Sequence, residues 1–151
     1  MFPQERHMAM DRETIQDIAI KTLIANNGAS MHDIAAAAGI GRTTLHRYFA
    51  SREELLHALL AAAFDDVEQT LASCHIKQGS ALEALERMVT AFVPVGYRFH
   101  FLVGSWPFEE GEEAFKAREI GLLKQFEALV QRGQHEAHFA MIYLPGGSLI
   151  P

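Results

Sequence analysis

The chain of 151 residues holds one cysteine, Cys74, so it has no partner for an internal disulfide. A secreted disulfide scaffold is excluded, and a reducing, cytoplasmic compartment is the expectation. Long apolar runs are also missing. The longest, Ala58 to Phe64, is seven residues, far short of the roughly 18 a membrane-spanning helix needs. No membrane partner is therefore expected. The opening residues Met-Phe-Pro-Gln-Glu-Arg-His contain no apolar stretch of signal-peptide type. No segment alternates with period two, and no Asn-Gly pair joins alternating runs, so the usual signs of strands and hairpins are absent. Nor is there a glycine-rich phosphate loop or a Gly-x-Ser-x-Gly elbow.

What is present is a chain 49% hydrophobic and 21% charged, the balance of a soluble globular protein with one real core. The net charge of −6 is unevenly spread. Residues 1–50 carry five basic and five acidic side chains, whereas residues 51–151 carry eight bases against fourteen acids. The first third also holds His7, His32 and His46, which a phosphate backbone could help protonate. This asymmetry permits a nucleic-acid-facing head on an acidic body.

Nearly everything reads as helix. Asp11 is an N-cap candidate for a first helix whose Ile15, Ile18, Ala19, Thr22 and Leu23 follow the spacing of one buried face. Asn26-Asn27-Gly28 ends it, with Gly28 expected to supply a left-handed residue. Ser30-x-x-Asp33 resembles a capping box opening a short helix to about Ala38, which Gly39 ends. A third short helix spans about Arg42 to Phe49. Ser51-x-x-Glu54 then launches a long helix with Leu55, Leu56, Leu59, Leu60, Phe64, Val67 and Leu71 in one stripe. Ser80-x-x-Glu83 caps a further helix, which Pro94 is expected to break or kink before a short apolar helix from Val95 to Val103. A loop from Gly104 to Pro107 precedes a last helix with Phe115, Leu122, Phe126 and Leu129. The expected fold class is all-α.

Two short helices joined by a Gly-containing turn are the pattern of a helix-turn-helix. Its second helix must lie in a major groove about 12 Å wide while the first crosses behind it. One side must then be apolar and the other polar. Ile34, Ala35, Ala38, Ile40, Leu45 and Phe49 supply the apolar side; Arg42, Thr43, Thr44, His46, Arg47 and Tyr48 supply the polar one. No carboxylate lies between Asp33 and Glu53, a local gap more telling than the global charge.

The run Ile34-Ala35-x-x-Ala38-Gly39-Ile40-Gly41-x-x-Thr44-Leu45-His46-Arg47-Tyr48-Phe49-x-Ser51-Arg52-Glu53-Glu54-Leu55-Leu56 resembles the DNA-binding domain of the TetR family of bacterial transcriptional repressors. The resemblance covers roughly residues 11–60. It implies a DNA-binding domain over residues 1–50 and a helical effector-binding and dimerisation domain over residues 51–151. It also implies that Ser30 meets phosphate and that His32 reaches a base or a phosphate. Arg42, Thr43 and Thr44 would read base edges, since Arg can bond guanine bidentately and a Thr methyl can touch thymine. Tyr48 and Arg52 would anchor phosphates, with Arg47 on the same polar face. His46 stands where the family usually has tyrosine; its charge follows pH, so DNA affinity could too.

The same resemblance implies a ligand-responsive regulator, most simply a repressor released from a palindromic operator on double-stranded DNA. The effector would be a small hydrophobic or aromatic molecule, and the regulator a homodimer with no cofactor. Phe64, Met88, Phe92, Tyr97, Phe101, Trp106 and Phe108 are the expected effector-binding residues. The chain is shorter than usual members, by about the two helices that pair in the family's dimer, so its body is expected to be C-terminally incomplete.

Two rival readings stand beside this one. An enzyme has little to work with. His135-Glu136-Ala137-His138 places two imidazoles three apart, not in the His-Glu-x-x-His zinc pattern, and neighbouring Cys74 and His75 would project apart on a helix. No catalysis and no metal site is expected. The other rival is a helical small-molecule- or partner-binding protein without DNA-binding activity, and the acid-free face with Arg42 and Arg52 argues against it.

Overall fold

The computed structural model describes residues 10–105 and 113–136. Those residues form six helices and no strand: α1 (Arg12–Ala25), α2 (Met31–Ala37), α3 (Arg42–Tyr48), α4 (Arg52–Ser73), α5 (Ala81–Ser105) and α6 (Glu113–His135). The chain divides into two compact units, Met1–Ala62 and Ala63–Pro151. Each is described by itself below.

In the first unit the helix ends are built as the sequence dictates. The Asp11 carboxylate accepts from the Thr14 N–H at 2.7 Å, and that hydrogen bond holds its carboxyl below the usual aspartate value. Ser30 and Asp33 form a complete capping box: the Asp33 N–H donates to Ser30 Oγ, and the Asp33 carboxylate accepts from both the N–H and the hydroxyl of Ser30. At the other end of α2, Gly39 adopts φ +65°. The Ile40 N–H reaches the Ala35 carbonyl and the Gly39 N–H the Ala36 carbonyl, a Schellman ending that favours a left-handed glycine. The turn between α2 and α3 is thereby fixed.

The exit from α1 differs from expectation. Gly28 is not left-handed, since positive φ occurs only at Gly39, Gly79 and His75 among the described residues. Asn26 makes the turn instead: extended itself, its side-chain oxygen accepts from the Gly28 N–H at 3.1 Å and its carbonyl from Ala29. An Asx turn of this kind needs no glycine.

The buried residues of this unit come from all four of its helices. Ile15, Ala19, Ile20 and Leu23 of α1 are buried, as are Ile34, Ala35 and Ala38 behind the turn, Leu45 and Phe49 from α3, and Leu55, Leu56, Leu59 and Leu60 of α4. Ile20 joins the buried face beyond what the spacing rule selects, while Ile18 and Thr22 are only half-buried. The start of α4 also departs slightly from a simple capping box. The Glu54 N–H donates to Ser51 Oγ, but the Glu54 carboxylate reaches back to the Ala50 N–H at 2.9 Å.

In the second unit Phe64, Val67 and Leu71 continue the buried stripe of α4. Phe64 meets Phe99 edge-on at 5.0 Å and stacks on Phe115 at 5.6 Å, with the Arg118 guanidinium 5.1 Å from its ring centre. That guanidinium bonds both Glu68 oxygens, at 2.7 and 2.9 Å, and also Asp65. These pairs, the Glu68 bond foremost, raise the Arg118 pKa above its usual value and tie α6 to α4. A smaller cluster of Ala81, Ala84 and Leu129 is closed by Glu136, whose carboxylate accepts from the Ala81 N–H at 2.7 Å.

Proline 94 does not end a helix. α5 runs from Ala81 to Ser105 with Pro94 inside it, and Gly104 and Ser105 belong to that helix, not to a loop. The ring removes one donor and crowds one carbonyl, a local cost that apolar contacts along a 25-residue helix outweigh. Cys74 and His75 likewise lie beyond the end of α4, in a turn where His75 takes φ +46°, not on a helix.

Candidate nucleic-acid interface and ligand cavity

The α2–turn–α3 segment presents its polar residues in graded exposure. Ser30, His32, Arg42, Thr43 and Arg47 are exposed, whereas Thr44, His46, Tyr48 and Arg52 are half-buried. Leu45 and Phe49, fully buried, pin the opposite side of α3. Arg42 and Thr43 sit on the first turn of α3 behind Gly41, its N-cap, where no side chain closes the free N–H groups. Polar side chains and unpaired backbone donors therefore share one end of this helix.

Four of the expected contact residues are already engaged within the unit. Tyr48 donates its hydroxyl to the Met10 carbonyl at 2.7 Å. The Arg52 guanidinium donates to the carbonyls of Asn27 and Ala29, at 3.0 and 3.3 Å. The Ser30 hydroxyl works in the capping box. The His46 ring nitrogen Nδ1 lies 3.1 Å from the Ala50 carbonyl, and since a carbonyl only accepts, Nδ1–H is the donor of that bond. These bonds hold the head together. Arg42, Thr43 and Arg47 on α3 and His32 on α2 are the expected contact residues that are exposed and outside those four. No residue from 34 to 52 is acidic.

The second unit contains a cavity of about 350 Å³ between α4, α5 and α6, within the size range of small-molecule sites. Val67 and Leu71 form its α4 wall. From α5 come Met88, Val89, Phe92, Gly96 and Phe99, and from α6 Leu122, Leu123 and Phe126. Val89, Leu123 and Phe126 are exposed and form the mouth. Not one lining side chain carries a polar group.

Of the expected effector-binding residues, Met88 and Phe92 line this cavity, and Phe64, Tyr97 and Phe101 do not. Phe64 is wholly inside the core, and Tyr97 is 64% exposed. Trp106 and Phe108 lie outside the described residues, as does His138. Two of the missed residues, Gly96 and Phe99, share one cause. Met88, Phe92, Gly96 and Phe99 recur at helical spacing on one face, but only if the helix continues through Pro94. Breaking it there loses the register and promotes Tyr97 and Phe101 instead. Among the described residues no three His, Cys, Asp or Glu side chains are grouped to hold a metal ion, and no helix is long and apolar enough to cross a membrane.

A helix-turn-helix with a carboxylate-free face, carried on an all-helical chain, defines a class of DNA-associated regulatory proteins. Comparison with known proteins narrows it. Residues 23–59 match the bacterial regulatory proteins of the tetR family. The HTH-type transcriptional repressor LfrR of Mycolicibacterium smegmatis is 36% identical over 85 residues, which is 56% of this chain and 45% of that protein. The HTH-type transcriptional regulator NfxB of Pseudomonas aeruginosa is 28% identical over 138 residues, covering 85% of this chain and 69% of that one. The crystal structure of the TetR-like regulator LfrR from Mycobacterium smegmatis in complex with proflavine superposes with a TM-score of 0.63 and 30% identity, covering 89% of this chain and 73% of that one. The chain belongs to the TetR family of bacterial regulatory proteins. It spans less than half of LfrR's length in the sequence match and about two-thirds to three-quarters in the other two.

Proposed function

We propose that this chain is a ligand-responsive, DNA-binding transcriptional regulator without enzymatic activity, most simply a repressor that leaves its operator when a small hydrophobic effector binds. It acts in the cytoplasm as a homodimer on a palindromic operator, two heads meeting successive major grooves about 34–36 Å apart. The observation that carries the reading is the exposed face of α3: Arg42, Thr43 and Arg47 on a helix pinned from behind by Leu45 and Phe49, with no acid from residue 34 to 52. Arg42, Thr43 and Thr44 read base edges, Ser30, His46 and Arg47 contact the backbone, and His32 reaches a base or a phosphate. Tyr48 and Arg52 reach phosphate only with part of their bonding capacity, since both hold the head together.

The effector enters the cavity between α4, α5 and α6. Its walls support this, as does the relative crystallised with proflavine. Ligand and operator are then coupled reciprocally: whatever affinity the ligand removes from DNA, DNA removes from the ligand. The test is selection of duplexes from a random pool by the purified chain, followed by titration of the selected duplex with hydrophobic compounds. A selected palindrome released by such a compound is the expected result. Recovery of no enriched sequence, with the cavity still binding ligand, would leave a helical binding protein in place of a regulator.

A further inference from the structure

We infer that the cavity selects neutral, apolar aromatic molecules and rejects organic cations, proflavine included. This deepens the ligand-responsive reading and rests on it. The walls set by Val67, Leu71, Phe92, Phe99 and Leu122 offer no hydrogen-bond acceptor and no carboxylate among the described residues. Of the three acids on the adjoining stretch of α4, Asp65 and Glu68 are bonded to Arg118, so their charge is answered inside the protein, and neither Asp66 nor Glu86, Glu119 or Glu127 of α5 and α6 is among the lining residues. A cation entering the cavity would lose its water shell and gain no counter-charge. The faces of Phe92 and Phe99 attract a cation, but ring quadrupoles do not replace a hydration shell. A neutral polycyclic molecule loses little on leaving water and gains apolar contact throughout. Lining and charge thus favour one class of effector over the other.

Gly96 supplies the control. It lines the cavity, and a Cβ built on it meets no atom within 4 Å. Gly96→Leu therefore starts from an unobstructed Cβ and adds side-chain volume at a lining position, and in a helix leucine is the better former. Gly121, exposed on α6 and equally open, does not line the cavity, so Gly121→Leu is the matched substitution elsewhere.

The experiment titrates the full chain with N-phenyl-1-naphthylamine, a neutral dye that brightens in apolar surroundings, and with proflavine, a cation at neutral pH, helicity being checked by circular dichroism. The neutral dye is expected to bind saturably, proflavine at least about 30-fold more weakly, a gap of roughly 2 kcal/mol. Gly96→Leu should abolish dye binding while Gly121→Leu leaves it unchanged. Proflavine binding as tightly as the dye, in competition with it, would overturn the charge selectivity and leave the cavity as a ligand site. Dye binding unaltered by Gly96→Leu would place the dye elsewhere and overturn the assignment to this cavity. Failure of both compounds to bind would overturn the ligand-sensing reading itself.

Discussion

Replacing Arg52 by alanine separates two roles that one side chain combines. Its guanidinium donates to the Asn27 and Ala29 carbonyls, bridging the start of α4 to the turn between α1 and α2. A hydrogen bond from a charged donor is worth about 1.5–3 kcal/mol when shielded from water. Here the side chain is half-buried and the Asn27 contact is exposed, so the pair together should contribute about 1.5 kcal/mol. For a chain of this size that corresponds to a fall of roughly 3–6 °C in Tm for Arg52→Ala, readable by circular dichroism. Arg52→Lys keeps the charge but loses the fork; it should be destabilised almost as much while retaining any phosphate attraction. An Arg52→Ala variant melting within about 1 °C of the parent would refute the argument that these carbonyl bonds hold the head together.

Three further outcomes follow from the same geometry. Gly39→Ala meets no atom but forces a Cβ into the left-handed region at φ +65°, so chemical denaturation should show a loss of about 1–2 kcal/mol. Pro94→Ala should stabilise the chain by roughly 1–3 kcal/mol and raise the denaturation midpoint, because it restores a donor inside α5 at a position where the ring is exposed. The Asp33 carboxyl is held below its ordinary value of 3.8, first by the Ser30 backbone N–H and then by the Ser30 hydroxyl. Its stabilisation is complete above that value and is lost as pH falls through the lowered one. Asp33→Asn should therefore flatten the acid limb of the Tm–pH curve.

Several local rules hold. Asp11, Ser30 and Ser80 cap as their spacing promises, and Gly39 takes the left-handed turn. The failures have physical causes. Gly28 could have closed α1, but an asparagine two residues earlier could do the same through its side chain, and composition does not rank the two. Pro94 reads as a boundary because its penalty is local and legible, whereas the tertiary contacts that override it are not. That one boundary hides Gly96 and Phe99 as neighbours of Met88 and Phe92, while the walls from α4 and α6 depend on how the helices pack, which spacing within one helix does not show. On the polar face, residue type decides which side chains could bond phosphate. It does not reveal that Tyr48 and Arg52 already direct those bonds to Met10, Asn27 and Ala29.

The central claim is that the face of α3 meets DNA, and its most direct test is the salt dependence of binding to a labelled random duplex, followed by fluorescence anisotropy. The account predicts binding at about 50 mM salt that weakens steeply as salt rises. The double variant Arg42→Ala/Arg47→Ala should bind more weakly, with the slope of log K against log salt reduced by about 0.9, for the one phosphate that the loss of Arg47 leaves unneutralised. A double variant with the affinity and slope of the parent, or a parent that ignores duplex DNA at low salt, would contradict the account.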